Sequence, residues 1–344
     1  MVDQSTSTRK VMIRPEHPFA PYIRILGKGK KGSRSFTREE AYQAMTMILN
    51  GQTEPEQLGA FLMLLRVKEE TAEELAGFVQ AAQDSIKPIE DAIHVDLDWS
   101  SYAGKRRHLP WFILSALLLA ENNVRVFMHG AKGHTQGRLY TQDMLTYLNI
   151  EYASSLTQAK QQLQEQNFSF LALEYFCPLL AQIIDLRSIL GLRSPVHTLA
   201  RMINPFKAQY SIQGIFHPGY RPVHQQASLL LEQPHVAVLK GEGGETERNP
   251  DVPCLVQSVD DGVLSDEQWP AMFKKRHIKP DILDPNQLSA LWHGSFTDEY
   301  AEATVVSTTA IALKLLGKST CQQTAEDLAL SYWQNRDRNQ FQSS

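Results

Sequence analysis

The sequence predicts an α/β protein in which a helical amino-terminal domain precedes a larger α/β domain with a mostly parallel sheet. Three helix-start signals follow one another between residues 37 and 74, and from residue 92 onward short apolar runs alternate with helical stretches. Such alternation is typical of a parallel sheet covered by helices. At 344 residues and 42% hydrophobic content, the chain can form one large domain or two.

The helices of the first domain are predicted from local capping chemistry. Residues 37–40 (TREE) form a capping box, in which the Thr hydroxyl and the last Glu carboxylate satisfy free backbone N–H groups, so a helix begins there. Gly51 is placed to end it in a left-handed conformation, and Pro55 suits the first turn of the next helix, where its missing N–H costs nothing. Residues 71–74 (TAEE) form a second capping box and start a third helix.

Four short apolar runs predict the strands of the sheet. These runs are 93–97, 124–128, 168–173 and 235–239. Helices are predicted at 111–120, 142–148 and 305–316. Because ligands bind at the carboxyl ends of parallel strands, function is expected in the loops that follow the four runs.

Charge and cysteine content limit the functional classes. The net charge of -4 argues against a generic nucleic-acid binder, but residues 1–34 carry eight Lys or Arg against two Asp or Glu. Three widely spaced cysteines favour neither a disulfide framework nor a CxxC metal site, and they fit a reducing cytoplasm. The longest apolar run, 111–120, is too short to span a bilayer, so no membrane association is expected.

The first predicted helices also carry a recognisable family pattern. It consists of FTREEA at 36–41, ILNG at 48–51, QLGAFLM at 57–63 and LLRVK at 64–68. This pattern resembles the helical amino-terminal domain of the anthranilate phosphoribosyltransferase family, also called glycosyltransferase family 3. Weaker similarity continues through almost the whole chain, including MHG at 128–130 and LGLRS at 190–194.

The resemblance implies two domains with a cleft between them and a homodimer formed through the helical domain. We expect the basic arm and helical domain to span 1–90, with a later helical contribution from about 180–205. The α/β domain is then expected to span 91–180 and 206–344.

The loop that holds phosphoribosyl pyrophosphate in the family is altered in this chain. Family enzymes carry GTGGD after the first strand, where glycine amides approach the pyrophosphate closely. The matching residues, 101–105, read SYAGK. Only Gly104 is retained, Tyr102 takes up space that a phosphate needs, and Lys105 replaces the acidic residue. Either the loop has drifted in sequence or it has been re-used to bind a polyanion.

The next strand end keeps part of a second family motif. The family's KHGNR corresponds to 128–132 (MHGAK), so His129 and Gly130 match and the leading Lys is lost. Lys132 and Arg138 follow closely. They could supply charge to a phosphate, or they could be solvated charges on a surface loop.

The magnesium site is also altered. A phosphoribosyl transfer needs a divalent cation, and Mg²⁺ prefers carboxylate oxygens. The family's DGLDE corresponds to 243–247 (GGETE), so half of its Asp-Glu pair is gone and Glu247 is the weak metal candidate. Glu242 and Glu245 could contribute in a shifted register, or all three acids could simply be solvated. Mg²⁺ is expected only if the chain is a transferase, and binding a polyanion requires no cofactor.

The acceptor site gives a mixed result. Arg187 occupies the position of the family arginine that holds the anthranilate carboxylate, and Arg193 ends the LGxR segment that follows. An arginine fork suits a carboxylate or a phosphate. The family's His-Pro-Ala-Met-Lys run before this arginine is absent. With donor, metal and acceptor sites all altered, the parent reaction is not expected.

The altered residues are instead similar to those of a divergent, nucleic-acid-binding branch of the family. The shared features are the SYxG loop, FCP at 176–178, HTLA at 197–200 and a Lys/Gly-rich arm at 27–34. Glycines let a backbone follow a phosphodiester chain, and each Lys or Arg can displace a counterion. Phosphate contacts of this kind position a polyanion without reading its bases. The arm could also be a disordered basic segment.

These clusters together predict a basic groove for nucleic acid. The expected phosphate- or nucleic-acid-binding residues are Lys28, Lys30, Lys31, Arg34, Tyr102, Gly104, Lys105, Arg106, Arg107, His129, Gly130, Lys132, Arg138, Arg187 and Arg193. Tyr102 is expected either to stack on a single-stranded base or to fill the core. The residues do not distinguish DNA from RNA.

Two alternatives stay open. One is an active phosphoribosyl or glycosyl transferase that uses phosphoribosyl pyrophosphate and Mg²⁺ with an anthranilate-like acceptor, with Arg187, Lys105 and Glu247 as electrostatic participants. The other is a scaffold whose basic cleft binds an acidic partner.

Overall fold

In the computed structural model, residues 15–29, 31–133 and 135–341 are described, and they form a seven-stranded sheet with helices on both faces. The first four helices are α1 Ala20–Gly27, α2 Arg38–Leu49, α3 Pro55–Lys68 and α4 Ala72–Ser85. The strands are β1 Leu97–Ser101, β2 Val126–Gly130, β3 Phe168–Ala172, β4 Tyr210–Ile215, β5 His235–Lys240, β6 Cys254–Asp260 and β7 Val263–Trp269. The later helices are α5 Phe112–Glu121, α6 Thr141–Thr146, α7 Leu156–Gln166, α8 Pro178–Asp185, α9 Arg187–Leu190, α10 Val196–Leu199, α11 Tyr220–Leu230, α12 Asn286–His293, α13 Glu299–Leu315 and α14 Gln322–Asn335.

The sheet is mostly parallel, as the sequence predicts. Its strand order is β3-β2-β1-β4-β5-β6-β7; the first five strands are parallel and the last two are antiparallel. The carboxyl ends of β1 to β5 therefore meet at one edge of the sheet. The helical domain followed by an α/β domain confirms the predicted fold class.

Local capping chemistry accounts for where the early helices begin. The Thr37 hydroxyl accepts a hydrogen bond from the Glu40 amide at 3.2 Å, and the Glu40 carboxylate accepts one from the Thr37 amide at 3.0 Å. The same reciprocal pair joins Thr71 and Glu74 at the start of α4. Gly51 has a φ of 67°, the left-handed conformation expected after α2.

Strand positions follow the predicted pattern less well. β1 begins at Leu97, the residue at which the predicted strand ends, and β4, β6 and β7 are absent from the predicted strands. Strands β1 and β4 contain several polar residues that are nevertheless buried, among them Asp98 and Gln213. Because these residues find hydrogen-bond partners inside the protein, apolar runs alone do not mark the strands.

Two apolar cores lie on opposite faces of the sheet. Helices α1 to α4 pack on one face together with α8, α10 and α11. Helices α5, α12, α13 and α14 cover the other face. Successive residues of β2 alternate between the two, since Phe127 faces the first core and Met128 the second. Among the described helices, none combines the length and apolar character needed to cross a membrane.

Candidate functional site

The candidate site lies at the sheet edge formed by the carboxyl ends of the parallel strands. Two segments meet there: the loop 102–111, which follows β1, and the glutamate turn, which we define as residues 242–247 after β5. A third segment, residues 135–139 after β2, packs beside them through an antiparallel bridge between Lys105 and Leu139. Residues far apart in the chain therefore face one another at this edge.

The backbone amides of the first loop bind a carboxylate of the same chain. Glu245 is fully buried, and its Oε1 accepts hydrogen bonds from the amides of Ala103 at 2.6 Å and Gly104 at 2.5 Å. Gly104 has a φ of 67°, a conformation that favours glycine and orients successive amides toward an anion. These amides correspond to those predicted for a donor pyrophosphate, and here Glu245 takes their hydrogen bonds.

Lys105 is buried between two glutamates, which corrects the expectation that it lines a basic groove. It is 1% exposed, and its Nζ contacts a Glu247 carboxylate oxygen and lies 3.2 Å from Glu242 Oε2. Burial acts to lower the pKa of Lys105, but the two carboxylates outweigh it and raise the pKa above its usual value. The lysine is therefore a charged structural group inside the site.

The glutamates also differ from the predicted metal ligands. Glu247 uses one oxygen for Lys105 and the other for the amide of Phe112 at 3.0 Å. Glu242 Oε1 accepts hydrogen bonds from the backbone amides of Arg106 at 3.0 Å and Arg107 at 2.6 Å. Burial acts to raise the pKa of Glu242, but the hydrogen bond from His108 and the charge on Lys105 outweigh it. The pKa of Glu242 is therefore well below its usual value, and the carboxylate stays ionised.

Both oxygens of Glu247 are held, one by an ammonium group and one by a backbone N–H group, so Glu247 offers no free ligand atom to a hard cation and its assignment as a metal ligand is corrected. Backbone amides likewise hold one oxygen each of Glu242 and Glu245, while Glu245 Oε2 is buried without a hydrogen-bond partner. Among the described residues, one His and two Asp side chains with metal-ligand spacing occur at His235, Asp260 and Asp261, at the opposite edge of the sheet.

Tyr102 and His129 belong to a buried hydrogen-bonded chain, so Tyr102 fills the core and does not face a base. The Tyr102 hydroxyl lies 2.7 Å from His129 Nδ1, and His129 Nε2 lies 3.1 Å from Asp98 Oδ2. All three side chains are buried, and burial raises the pKa of Asp98 and of Tyr102. Gly130 ends β2 beside them, where a Cβ atom would overlap the carbonyl oxygen of Ser101.

Four arginines converge next to this buried group, and we call them the arginine cluster. They are Arg138, Arg187, Arg193 and Arg201. Arg138 Nη1 donates to the carbonyl oxygens of Ala103 and Gly104, at 3.0 Å each. Arg187 Nη1 donates to the Thr135 hydroxyl in the same loop after β2. Arg201 is 8% exposed and donates to the carbonyl oxygen of His197.

Two glycines of the glutamate turn make room for the cluster. A Cβ atom on Gly243 would lie 2.6 Å from Arg138 Nη1, and one on Gly244 would lie 3.0 Å from Arg201 Nη2. Both glycines have positive φ angles, so the turn passes close to the guanidinium groups without side chains. Arg138 and Arg201 are thus held at adjacent positions of one turn.

The cluster concentrates positive charge with little compensation. Burial lowers the pKa of Arg193 to about 10, and the charges of Arg138, Arg201 and Arg187 lower it as well. In the part of the chain that the structure describes, no carboxylate forms an ion pair with Arg138, Arg193 or Arg201. The charge of Glu245 partly offsets the effect of burial on Arg201. Such an arrangement suits an anion with several oxygen acceptors.

The other predicted basic residues lie outside the cluster. Lys28 and Lys31 are exposed on the loop after α1, Arg34 pairs there with Glu40 of the bundle at 2.6 Å, and Lys30 falls outside the described residues. The backbone amide of Arg34 also donates to the carbonyl oxygen of Ile25 in α1, so the contacts of this arginine are within the helical bundle.

Three further predicted residues lie at the site's rim. Arg106 and Arg107 have exposed side chains, and Lys132 is exposed but pairs with Glu174. The structure therefore brings together Arg138, Arg187 and Arg193 from the predicted set.

Two residues of the site were missed by sequence reasoning. Arg201 directly follows the HTLA segment, which could have directed attention to it. Phe216 follows β4 and is 50% exposed, and its backbone nitrogen lies 3.3 Å from the position of a Cβ on Gly244. Because β4 itself was not predicted, nothing in the sequence placed Phe216 at the functional edge.

Comparison with known proteins identifies related chains. Residues 20–86 match the helical bundle domain of a glycosyl transferase family, and residues 113–277 match its a/b domain. An uncharacterized protein of Aquifex aeolicus (strain VF5) is 30% identical over 268 residues, covering 75% of this chain and 81% of that protein. An anthranilate phosphoribosyltransferase of Anaeromyxobacter sp. (strain Fw109-5) is 29% identical over 209 residues, covering 60% and 61%.

A solved structure shares the fold. It is anthranilate phosphoribosyltransferase from Saccharomyces cerevisiae in complex with PRPP and Mg. The TM-score is 0.76 at 16% sequence identity, and the match covers 95% of this chain and 97% of that one. At this identity the likeness concerns the arrangement of helices and strands.

Proposed function

Since this chain belongs to the glycosyl transferase family of anthranilate phosphoribosyltransferase, we propose that it uses the family's cleft to bind nucleic acid and does not catalyse the parent reaction. Binding is through phosphate groups and without sequence specificity. No cofactor is required.

The observation that carries this proposal is the arginine cluster. Arg138, Arg193 and Arg201 are at least partly buried and form no ion pair among the described residues. Buried charges without counter-ions are costly, so a site that keeps several of them together is built to receive an anion. Arg106 and Arg107, exposed at the rim of the same edge, extend positive charge outward along the path of a polymer.

The internal contacts of the glutamate turn argue against the transferase alternative. The donor's pyrophosphate needs the amides of Ala103 and Gly104, which Glu245 occupies, and Mg²⁺ needs carboxylates such as Glu247, which Lys105 occupies. The Glu245 carboxylate thus takes the place of the pyrophosphate, and the Lys105 ammonium group takes the place of Mg²⁺. Arg187 is the one acceptor-site residue that favours an active transferase with an anthranilate-like acceptor.

Fluorescence anisotropy of labelled oligonucleotides tests the binding proposal. Two single strands of unrelated sequence and one duplex, titrated with the protein at about 50 mM and 200 mM salt, should all bind, and binding should weaken strongly at the higher salt. Absence of binding at low salt, or binding insensitive to salt, would overturn the proposal.

A product assay tests the transferase alternative separately. The protein is incubated with phosphoribosyl pyrophosphate, Mg²⁺ and anthranilate, and formation of phosphoribosylanthranilate is followed by loss of anthranilate fluorescence. No turnover above the protein-free reaction is expected. Turnover in the ordinary enzymatic range, about 1–1000 per second, would show that the donor site works despite its internal contacts.

We further propose that two copies associate through the helical bundle. The family resemblance implies this interface, and we assign to it Val67 on α3, an apolar side chain of the bundle that is 86% exposed in the single chain. A dimer places two clefts on one particle, so a long strand that reaches both gains avidity. Sedimentation equilibrium should give twice the 38.9 kDa chain mass, and a Val67→Glu variant should sediment as a monomer.

We also propose a cytoplasmic location. The described cysteines, Cys177, Cys254 and Cys321, form no disulfide bonds with one another, which is consistent with a reducing compartment.

A further inference from the structure

Phe216 lies at the carboxyl end of β4, where its backbone passes next to the arginine cluster. Its side chain is 50% exposed and its ring contacts that of His217, with centroids 4.7 Å apart, whereas Tyr102 at the end of β1 is buried. Gly244 links it to the cluster: a Cβ on this glycine would lie 3.0 Å from Arg201 Nη2 and 3.3 Å from the Phe216 amide nitrogen. A ring that is half open to solvent can stack on a nucleic-acid base, because every base presents a π-face.

The inner end of the cluster is closed. Arg201 is 8% exposed, and its Nε is buried without a hydrogen-bond partner. Behind it, Glu245 ties the glutamate turn to the first loop through the amides of Ala103 and Gly104, and these residues are buried. A strand that enters from the side of Phe216 therefore meets a packed wall of protein at Arg201. Such a site suits the end of a chain better than its middle.

The charge of the cluster favours a terminal phosphate for a second reason. A phosphodiester inside a strand carries one negative charge and two free oxygens, whereas a phosphomonoester carries about -1.5 to -2 near neutral pH and has three strong acceptor oxygens. Guanidinium groups bind such oxygens in pairs, and Arg138, Arg193 and Arg201 approach from different segments. A terminal group satisfies more of these donors.

We propose that the cleft holds the phosphorylated end of a single nucleic-acid strand, with the terminal phosphate on the arginine cluster and the terminal base stacked on Phe216. This inference rests on the proposed nucleic-acid binding and specifies which part of the polymer the cleft recognises.

Three oligonucleotides test the inference. All three are single strands of the same 12-nucleotide sequence with an internal fluorophore. One carries a 5′-phosphate, one a 3′-phosphate and one no terminal phosphate. At least one phosphorylated form should bind about tenfold more tightly than the unphosphorylated strand. Equal affinity of all three overturns the inference but leaves the proposed function standing. Binding of none of them overturns both.

Variants locate the preference in the cleft. Arg193→Gln should abolish the difference between phosphorylated and unphosphorylated strands, because it removes one of the clustered charges. Phe216→Leu should weaken binding of the phosphorylated strand about tenfold, whereas Phe216→Tyr, which keeps the ring, should bind like the wild type. Circular dichroism checks that each variant is folded. A preference that persists in Arg193→Gln, or equal affinities of the Leu and Tyr variants, contradicts the assignment.

Discussion

The ammonium group of Lys105 lies between the carboxylates of Glu242 and Glu247 in a buried part of the molecule. A buried charge is tolerated only while its partners remain in place. The three residues therefore act as one unit that joins the loop after β1 to the turn after β5.

Replacing Lys105 by Met should destabilise the protein strongly. The variant leaves the Glu247 carboxylate buried without its counter-ion, at a cost of about 3–5 kcal/mol in the free energy of unfolding. Arg107→Met is the matched control, because Arg107 has an exposed side chain in the same loop and should change stability by no more than about 0.5 kcal/mol. Urea unfolding followed by tryptophan fluorescence measures both. A Lys105→Met loss as small as that of the control would mean that the ion pairs contribute little.

The sequence could predict Gly104 and the position of the altered loop, but not the state of Lys105. In the sequence this lysine precedes Arg106 and Arg107 and reads as part of a basic run. Its partner Glu247 is 142 positions away, so no local pattern connects them. The pairing depends on β1 and β5 ending at the same edge of the sheet, which is a property of the fold.

Among the helices, the contact between α2 and α4 depends on a glycine. A Cβ on Gly77 would overlap the carbonyl oxygen of Arg38 and approach Ala41 to 2.8 Å. Gly77→Ala should therefore force the two helices apart and cost about 1–3 kcal/mol of stability.

Gly59 of α3 is the matched control for this prediction. A Cβ at this position meets no atom within 4 Å, so Gly59→Ala should stabilise the protein by up to about 1 kcal/mol through helix propensity alone. Thermal unfolding of the two variants should shift in opposite directions. Shifts of the same sign would show that close helix packing is not what requires Gly77.

The packing of α11 on the sheet should make stability depend on pH. His224 is buried and its Nδ1 lies 2.8 Å from Gln213 Oε1 of β4, and burial lowers the pKa of His224 to about 3. In the unfolded chain the imidazole takes up a proton near its ordinary pKa of about 6.5. Between these two values the unfolded state binds more protons, so stability is lost as pH falls from about 6.5 toward 3.

This pH dependence is measured by urea unfolding at pH 7 and pH 5. The wild type should lose about 2 kcal/mol more over this interval than a His224→Gln variant, which has no imidazole to protonate. Equal losses in the two proteins would mean that His224 already accepts a proton in the folded state.

The elements that sequence patterns predicted are those with local signals. Capping boxes at Thr37 and Thr71 determine helix starts within a few residues, and the strand at 235–239 is confirmed by β5. By contrast, β4 was missed, because its buried Gln213 is satisfied by His224 from another element. Polar strands of this kind can be recognised only once their partners are known.

At the scale of the whole molecule, the positive charge that could bind a polyanion is concentrated in a few places. The net charge is -4, so attraction of a polyanion to the protein as a whole is not expected. Nucleic-acid binding must then depend on the few arginines collected at the carboxyl edge of the sheet, whereas Lys28, Lys31 and Arg34 lie on the loop after α1 of the helical bundle.

The salt dependence of binding in two arginine variants tests this account most directly. The logarithm of the association constant for a labelled single strand is measured against the logarithm of salt concentration for the wild type, Arg193→Gln and Arg125→Gln. Arg125 precedes β2 at the opposite edge of the sheet and serves as the charge-matched control. The account predicts that Arg193→Gln weakens binding and reduces the slope by about 0.7, the value of one phosphate contact on a single strand, while Arg125→Gln matches the wild type. Identical slopes and affinities for all three proteins would contradict the claim that nucleic acid binds in the cleft.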